Sequence, residues 1–284
     1  MQPLQFVGLD EQELTTEQYK LIEDAIITAA QKPIVGRTVM PYVELNDYGI
    51  LNIQTYEQTA MGPASIGMGA VQQNMDRVGL TPKTLPLPVL WKDFTIYARD
   101  LAASRRLGIP LDTSNASDAG RRVAELEETL IWEGTKGFIG FMGVVGRLTQ
   151  ATAGSWATAE NAYKDAKAAV ADLEAAGYGS RPTLCVTPLQ KAAMRAHIGT
   201  TSDTVLEKVT ELCDVVTVHF FADDASALAV VPDPENFQLK IGQNVVTRPW
   251  ELPGGDWFFR TYEALIPQFK RATSICEITG ITLV

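Results

Sequence analysis

Apolar side chains recur at helical spacing along residues 117–134, where Val123, Leu126, Leu130 and Ile131 fall at i, i+3, i+7 and i+8. That spacing predicts one apolar stripe on a long helix. Arg121, Arg122, Glu125, Glu127 and Glu128 fall off the stripe and read as its charged face. Ser117 or Asp118 can cap the start, and Gly134 can stop the end. Upstream, Phe94–Tyr97 predicts a strand and the following residues a short helix closing near Gly108. A second amphipathic pattern, Tyr19, Ile22, Ile26 and Ala29, follows a start in which Thr15 and Gln18 have capping-box spacing and Leu14 and Tyr19 that of a hydrophobic staple. Beyond Lys32-Pro33 the stretch VGRTVMPYVEL reads as extended.

The pattern changes at residues 53–88. Gly62, Gly67, Gly69, Gly79, Met61, Met68 and Met75 interrupt any period, after alternation at Leu51–Tyr56 that predicts a strand. So long an excursion predicts a protruding two-stranded arm, which glycine and methionine let adapt to a partner surface. From Thr158 helices and strands mix: a helix to Ala176 stopped by Gly177, a strand at Pro182–Val186, and helices at Pro188–His197 and Thr204–Leu212. Strands follow at Val215–Phe220, Leu228–Val231, Gln238–Ile241, Asp256–Tyr262 and Ile275–Leu283. The mixture indicates an α+β fold rather than a doubly wound sheet.

Composition narrows the class. The 284 residues are 46% apolar, enough for one large or two smaller cores. A net charge of −10 opposes a surface built to coat nucleic acid, while leaving room for a container whose inner wall tolerates it. Cys185, Cys213 and Cys276 lie far apart with no CxxC spacing and read as buried thiols in a reducing compartment. No leader pattern and no apolar run long enough to span a membrane is visible, so no membrane partner is expected.

Candidate chemistry is sparse. The two histidines, His197 and His219, have no nucleophile, metal-ligand partner or phosphate loop at a meaningful spacing. No catalytic, cofactor or metal residue is therefore assigned; a hydrolase using either histidine is the most distant reading. The loop Gly199, Thr200, Thr201, Ser202 and Asp203 is small and polar, as at a domain tip. In a ring of subunits it would line an opening.

The order of these segments resembles the encapsulin family and, through it, the major capsid proteins of tailed phages with the Hong Kong 97-type fold. LTTEQYKLIEDAI…VGRTV resembles the family's N-terminal helix and following "YGR" strand, with Gly36-Arg37 matching. PLPVLWKDFTI…LAASRRLG resembles its "PL.EL…FTL…LERG" segment, and RRVAELEETLIWEGTKGFIG its backbone helix and turn. Val205–Val209, Leu239–Gln243 and Trp257–Phe259 with Glu263 continue the series. The resemblance implies a non-enzymatic shell protomer that self-assembles in many copies into an icosahedral particle.

It also implies an N-terminal arm and helix (1–52), an extended E-loop (53–88), a peripheral domain with a long spine helix (89–155), an axial domain (156–229) and return strands (230–284). In such a shell Met61, Met68, Met75 and Arg77 would make E-loop contacts between subunits, and Gly199–Asp203 would face a pore. Tyr19, Ile22 and Ile26 would line a groove for cargo or a neighbour. Arg99 stands where some members carry a flavin-contacting tryptophan, so no flavin site is carried over. The long glycine- and methionine-rich E-loop favours a viral capsid around double-stranded DNA. The short N-terminus and its helix favour the alternative, a nanocompartment around a cargo protein. The particle is expected as a virion capsid or in the cytoplasm.

Overall fold

The computed structural model describes residues 14–31, 34–58, 80–107, 111–198, 203–221, 223–253 and 255–283. The excursion from 59 to 79 and the loop residues 199–202 lie outside them, and with them Met61, Met68, Met75 and Arg77, and Gly199 to Ser202. In chain order the first elements are α1 (Thr16–Gln31), a helical turn α2 (Gly36–Val39), β1 (Tyr42–Glu44), β2 (Asn52–Gln58), β3 (Leu80–Pro86), β4 (Val89–Ile96), α3 (Ala98–Leu107) and α4 (Ser114–Trp132). Short strands β5 (Gly134–Thr135) and β6 (Phe138–Ile139) precede β7 (Leu148–Ala151), α5 (Ala159–Ala175), β8 (Thr183–Val186), α6 (Pro188–Ala193) and α7 (Val205–Leu212). The chain then runs through β9 (Asp214–Thr217), β10 (Ser226–Val230), β11 (Phe237–Glu251), β12 (Trp257–Phe269) and β13 (Ile275–Thr279).

Two sheets organise the body. One has the order β1-β11-β12-β4, with β1 parallel to β11 and the remaining pairs antiparallel. Its frame is the long β11–β12 hairpin, paired from Phe237↔Phe269 to Glu251↔Trp257 with irregularities around Gln243. The second has the order β7-β13-β10-β8-β9 and carries α5 and α7. Trp132, Phe141, Phe237 and Leu265 centre the core of the first unit. Trp156, Ala166, Leu173, Val205 and Ile278 centre that of the second.

The long helix α4 bridges the first sheet and α1. Its start differs from the sequence reading: Thr113 precedes the helix without a side-chain cap bond, and Ser117 and Asp118 lie inside it. Asp118 instead pairs with Arg121 and Arg122 one turn on. Gly134 does follow the last turn, at φ +80°, where a side chain would collide with the β5–β6 hairpin. The buried face runs through Ala116, Ala119, Gly120, Val123, Ala124, Glu127 and Ile131, and Glu128 is also buried. Leu126, placed on the apolar stripe by spacing, is exposed instead.

The reason lies at the two partners. Helix α1 approaches so closely that a Cβ on Gly120 would sit 2.6 Å from the carbonyl oxygen of Ile26, so small residues must face it. The carboxylates meet donors from α2, where the sequence pattern predicts extended chain and the structure has a helical turn.

Candidate assembly interface

Strands β2 and β3 pair in antiparallel register from Asn52↔Pro86 to Gln58↔Leu80. Among the described side chains, the base of this hairpin is anchored where Ile53 and Leu85 pack with Leu87, Ala264 and Ile266. Asn52, Gln54, Pro82, Lys83 and Thr84 are exposed. A two-stranded ribbon with so little core is marginal in water and gains from a surface to lie on.

Helix α1 begins as its capping box predicts: the Gln18 amide donates to Thr15 Oγ1 and the Thr15 amide to Gln18 Oε1, both at 3.2 Å. Sequence left two roles for Tyr19, Ile22 and Ile26, a docked helix or a groove for a guest. Ile22 and Ile26 are 0% and 1% exposed, packed with Leu101, Ala116 and Phe259. The Tyr19 hydroxyl donates to the Thr247 carbonyl at 2.9 Å. Among the described residues, Ile22 and Ile26 are taken up by the protein's own core and Tyr19 is partly buried against it. Leu21 and Ile27 are the apolar side chains α1 leaves open.

The ends of the loop at 199–202 are clipped together. His197 and Thr204 form a β-bridge, the Ile198 amide donates to the Asp203 carbonyl, and Thr204 with Glu207 forms the capping box that starts α7. Asp203 pairs with Lys208 at 3.3 Å, which ties its carboxylate back to α7. Both histidines are exposed. No group of acidic, histidine or cysteine side chains able to hold a metal occurs among the described residues. Cys185, Cys213 and Cys276 are free and buried; burial pushes the thiols of Cys213 and Cys276 up to about 11 and about 12.

The sheet face turned away from α4 carries a cleft of about 290 Å³ between Tyr48, Trp91, Arg248, Trp250, Arg260 and Tyr262. Arg248 stands 5.7 Å over the Tyr262 ring, and Arg260 is held by Asp93 through bonds of 2.7 and 2.8 Å. Trp91 and Trp250 are half-exposed. Sequence reading missed this surface because its residues come from β4, β11, β12 and the β1–β2 connection.

It also missed a buried charge cluster under the opposite face. Glu127 and Glu128, read as the solvated side of α4, are both 0% exposed. Glu127 accepts from Arg37 Nε at 2.6 Å and from a second Arg37 nitrogen at 3.0 Å. Arg37 also reaches Glu263 Oε2 at 3.2 Å and Asn244 Oδ1 at 3.3 Å. Glu128 accepts from the Val35 and Gly36 amides at 2.6 and 2.7 Å and from Trp132 Nε1 at 2.7 Å. Burial raises the Glu128 carboxyl to about 7 despite these donors. Burial would lower the Arg37 guanidinium, but the Glu127 hydrogen bond and the charges of Glu127, Glu263 and Glu44 outweigh it and hold its pKa above the ordinary value. The one sequence signal for this cluster was Gly36-Arg37 itself, since a Cβ at Gly36 would press on Ile131 and Glu128.

Comparison with known proteins agrees with this architecture. The family model described as encapsulating protein for peroxidase matches residues 5–247. The chain is 24% identical over 278 residues to the type 1 encapsulin shell protein EncA of Myxococcus xanthus (strain DK1622), covering 97% of this chain and 96% of that one. A virus-like particle protein from Pyrococcus furiosus superposes with a TM-score of 0.74 at 18% identity, over 92% of this chain and 99% of the other. The capsid of Myoviridae phage XM1 superposes with a TM-score of 0.65 at 12% identity, over 85% and 89%. At these identities the two structures speak for the fold alone, an α+β capsid fold of the Hong Kong 97 type.

Proposed function

The chain belongs to the family of encapsulating proteins for peroxidase, and from that premise we propose that it is the protomer of a closed icosahedral shell whose content is a protein guest. The observation that carries the shell is the β2–β3 hairpin, whose described side chains at Asn52, Gln54 and Pro82–Thr84 are exposed while Ile53 and Leu85 pack at its base. Such a ribbon is stabilised when it lies on a neighbouring copy, and many weak contacts of this kind close a shell by mass action. On this reading residues 59–79, with Met61, Met68, Met75 and Arg77, form the contact between subunits. The loop from Gly199 to Asp203 faces an opening on a symmetry axis. A guest meets α1 on its open side, at Leu21 and Ile27, because Ile22 and Ile26 are taken by the core. The shell protomer contributes architecture and no catalytic chemistry, as its structural relatives do.

The family description and the encapsulin shell relative support a protein guest over a viral genome, against the pull of the long E-loop, and the net charge of −10 is in keeping with it. Purified particles settle the point. Closed shells in electron micrographs, a protein-like ultraviolet ratio and a second polypeptide in stoichiometric amount are expected. Packaged DNA without a second polypeptide would replace the nanocompartment reading by the capsid one. Monomers or small rings at every salt and protein concentration would remove the shell itself. Deleting residues 59–79 is expected to abolish particles while leaving a cooperative unfolding transition in the protomer.

A further inference from the structure

Three carboxylates and one guanidinium share the buried space between α2, α4 and β12, and their hydrogen bonds are unequally divided. Both oxygens of Glu127 are taken by Arg37. Glu128 has three neutral donors. Glu263 has one bond through Oε2, to an Arg37 nitrogen that also serves Glu127, and its buried Oε1 has no hydrogen-bond partner among the described residues. Across the sheet its β4 neighbour is Leu90, which offers nothing polar. Beyond this inner set, Glu44 of β1 bonds Asn244 of β11, which in turn bonds Arg37. That adds a further negative charge near the same cation.

A buried carboxylate oxygen without a donor is the costliest place in such a cluster to keep a negative charge. We propose that Glu263 is a proton-binding site of the folded protomer, protonated at neutral pH, and that losing this proton on the alkaline side loosens the docking of residues 34–44 on α4. Burial first, and then the neighbouring charge of Glu127, raise its carboxyl well above the ordinary range, with Arg37 pulling only partly back. The site belongs to the protomer alone, so it stands or falls independently of whether the chain closes a shell.

The sign follows from linkage. Glu263 binds its proton more tightly folded than unfolded, so the stability it contributes is complete below the unfolded carboxyl pKa, about 4.3, and is lost as pH rises through the folded value. Glu128 behaves likewise, with its midpoint near pH 7, so its loss is complete about one pH unit above that. Burial raises Glu127 as well, so the part of the decline beyond that range that belongs to Glu263 is the part that Glu263→Gln removes. Residues 34–44 respond because Arg37 is the cation holding them in the cluster: with Glu263 ionised, one guanidinium faces two adjacent anions, and its grip on Glu127 is shared.

The test uses the intact protein, wild type and Glu263→Gln, with melting temperature followed from about pH 5 to about pH 9. In wild type the melting temperature is expected to keep falling above about pH 8, beyond the range of Glu128; in E263Q this alkaline limb shrinks or disappears. Infrared spectra at neutral pH are expected to show the carbonyl stretch of protonated carboxylic acids in wild type, and to lose the Glu263 share of that intensity in E263Q, leaving the share of Glu128. At one fixed alkaline pH, the amides of residues 34–44 should exchange faster in wild type than in E263Q. Identical alkaline limbs in the two proteins, or a protonated-acid band unchanged by E263Q, would overturn the assignment. If E263Q does not fold, the wild-type band decides alone. Its absence at neutral pH refutes the proton site, and its titration above the range of Glu128 supports it.

Discussion

Helices α4 and α5 solve the same problem in different ways. Each buries a carboxylate that accepts the indole N–H of a fully buried tryptophan: Glu128 from Trp132 at 2.7 Å, Asp165 from Trp156 at 2.8 Å. Around α5 the remaining donors are local, with Thr152 Oγ1 at 2.6 Å and the Ala153 amide at 2.7 Å. They lie 13 and 12 positions away in sequence. Around α4 the remaining donors to Glu128 come from 93 and 92 positions away. Next door, Arg37 joins Glu127 to Glu263, 226 positions from the arginine. The second unit thus closes its buried charge with neutral, nearby groups. The first ties residues far apart in the chain together through ions.

The sharpest test of that contrast is Arg37→Met. It removes the lone cation from the cluster and leaves the carboxylates buried, so a loss of about 4 kcal/mol is expected in chemical denaturation near neutral pH. The loss should shrink on acidification as the carboxyls protonate. A cost under about 1 kcal/mol would mean that the cluster does not organise the unit. Next come the matched amides Glu128→Gln and Asp165→Asn, each expected to cost about 2 kcal/mol by trading an accepting oxygen for a donor. E128Q should flatten the decline of melting temperature with pH. The folded carboxyl of Glu128 is raised to about 7, so its contribution fades between the unfolded value and that pH. A pH profile for E128Q as steep as that of wild type would remove the role given to Glu128.

Gly120→Ala is expected to cost about 2 kcal/mol, because the added methyl meets the Ile26 backbone and must push α1 off α4. Faster hydrogen exchange confined to α1 would show it. The smallest effect belongs to Arg122→Ala, about 0.5 kcal/mol or less, since its pairs with Asp118 and Glu125 are half-exposed.

Much of the element order was legible because its signals are local. The Thr15–Gln18 capping box formed as spacing predicts, and Gly134 and Gly177 adopt φ of +80° and +93° where helices stop. The strand entering the excursion was visible in the alternation at Leu51–Tyr56. What could not be read was long-range. Glu127 and Glu128 look like a solvated face unless one knows that Arg37 and the Val35 and Gly36 amides arrive beneath them. Strand β11 was foreseen as Gln238–Ile241, yet it runs to Glu251, because its partner β12 pairs with Gln243 and Pro249 and resumes past the irregular stretch at Asn244, residues that locally argue against a strand. For the candidate interface, spacing found the apolar face of α1 but not the direction it points. The aromatic and arginine residues of the β4–β11–β12 cleft had no common motif to announce them.

The three cysteines bear on how the molecule can be handled. All are buried, and those with thiols pushed up to about 11 and about 12 present almost no thiolate at neutral pH. A single cysteine introduced at an exposed position such as Ser180 would therefore be the sole nucleophilic sulfur offered to a maleimide by the folded protomer. Dyes, spin labels or affinity tags could then be attached at one defined point per subunit, without first stripping the native thiols from the core.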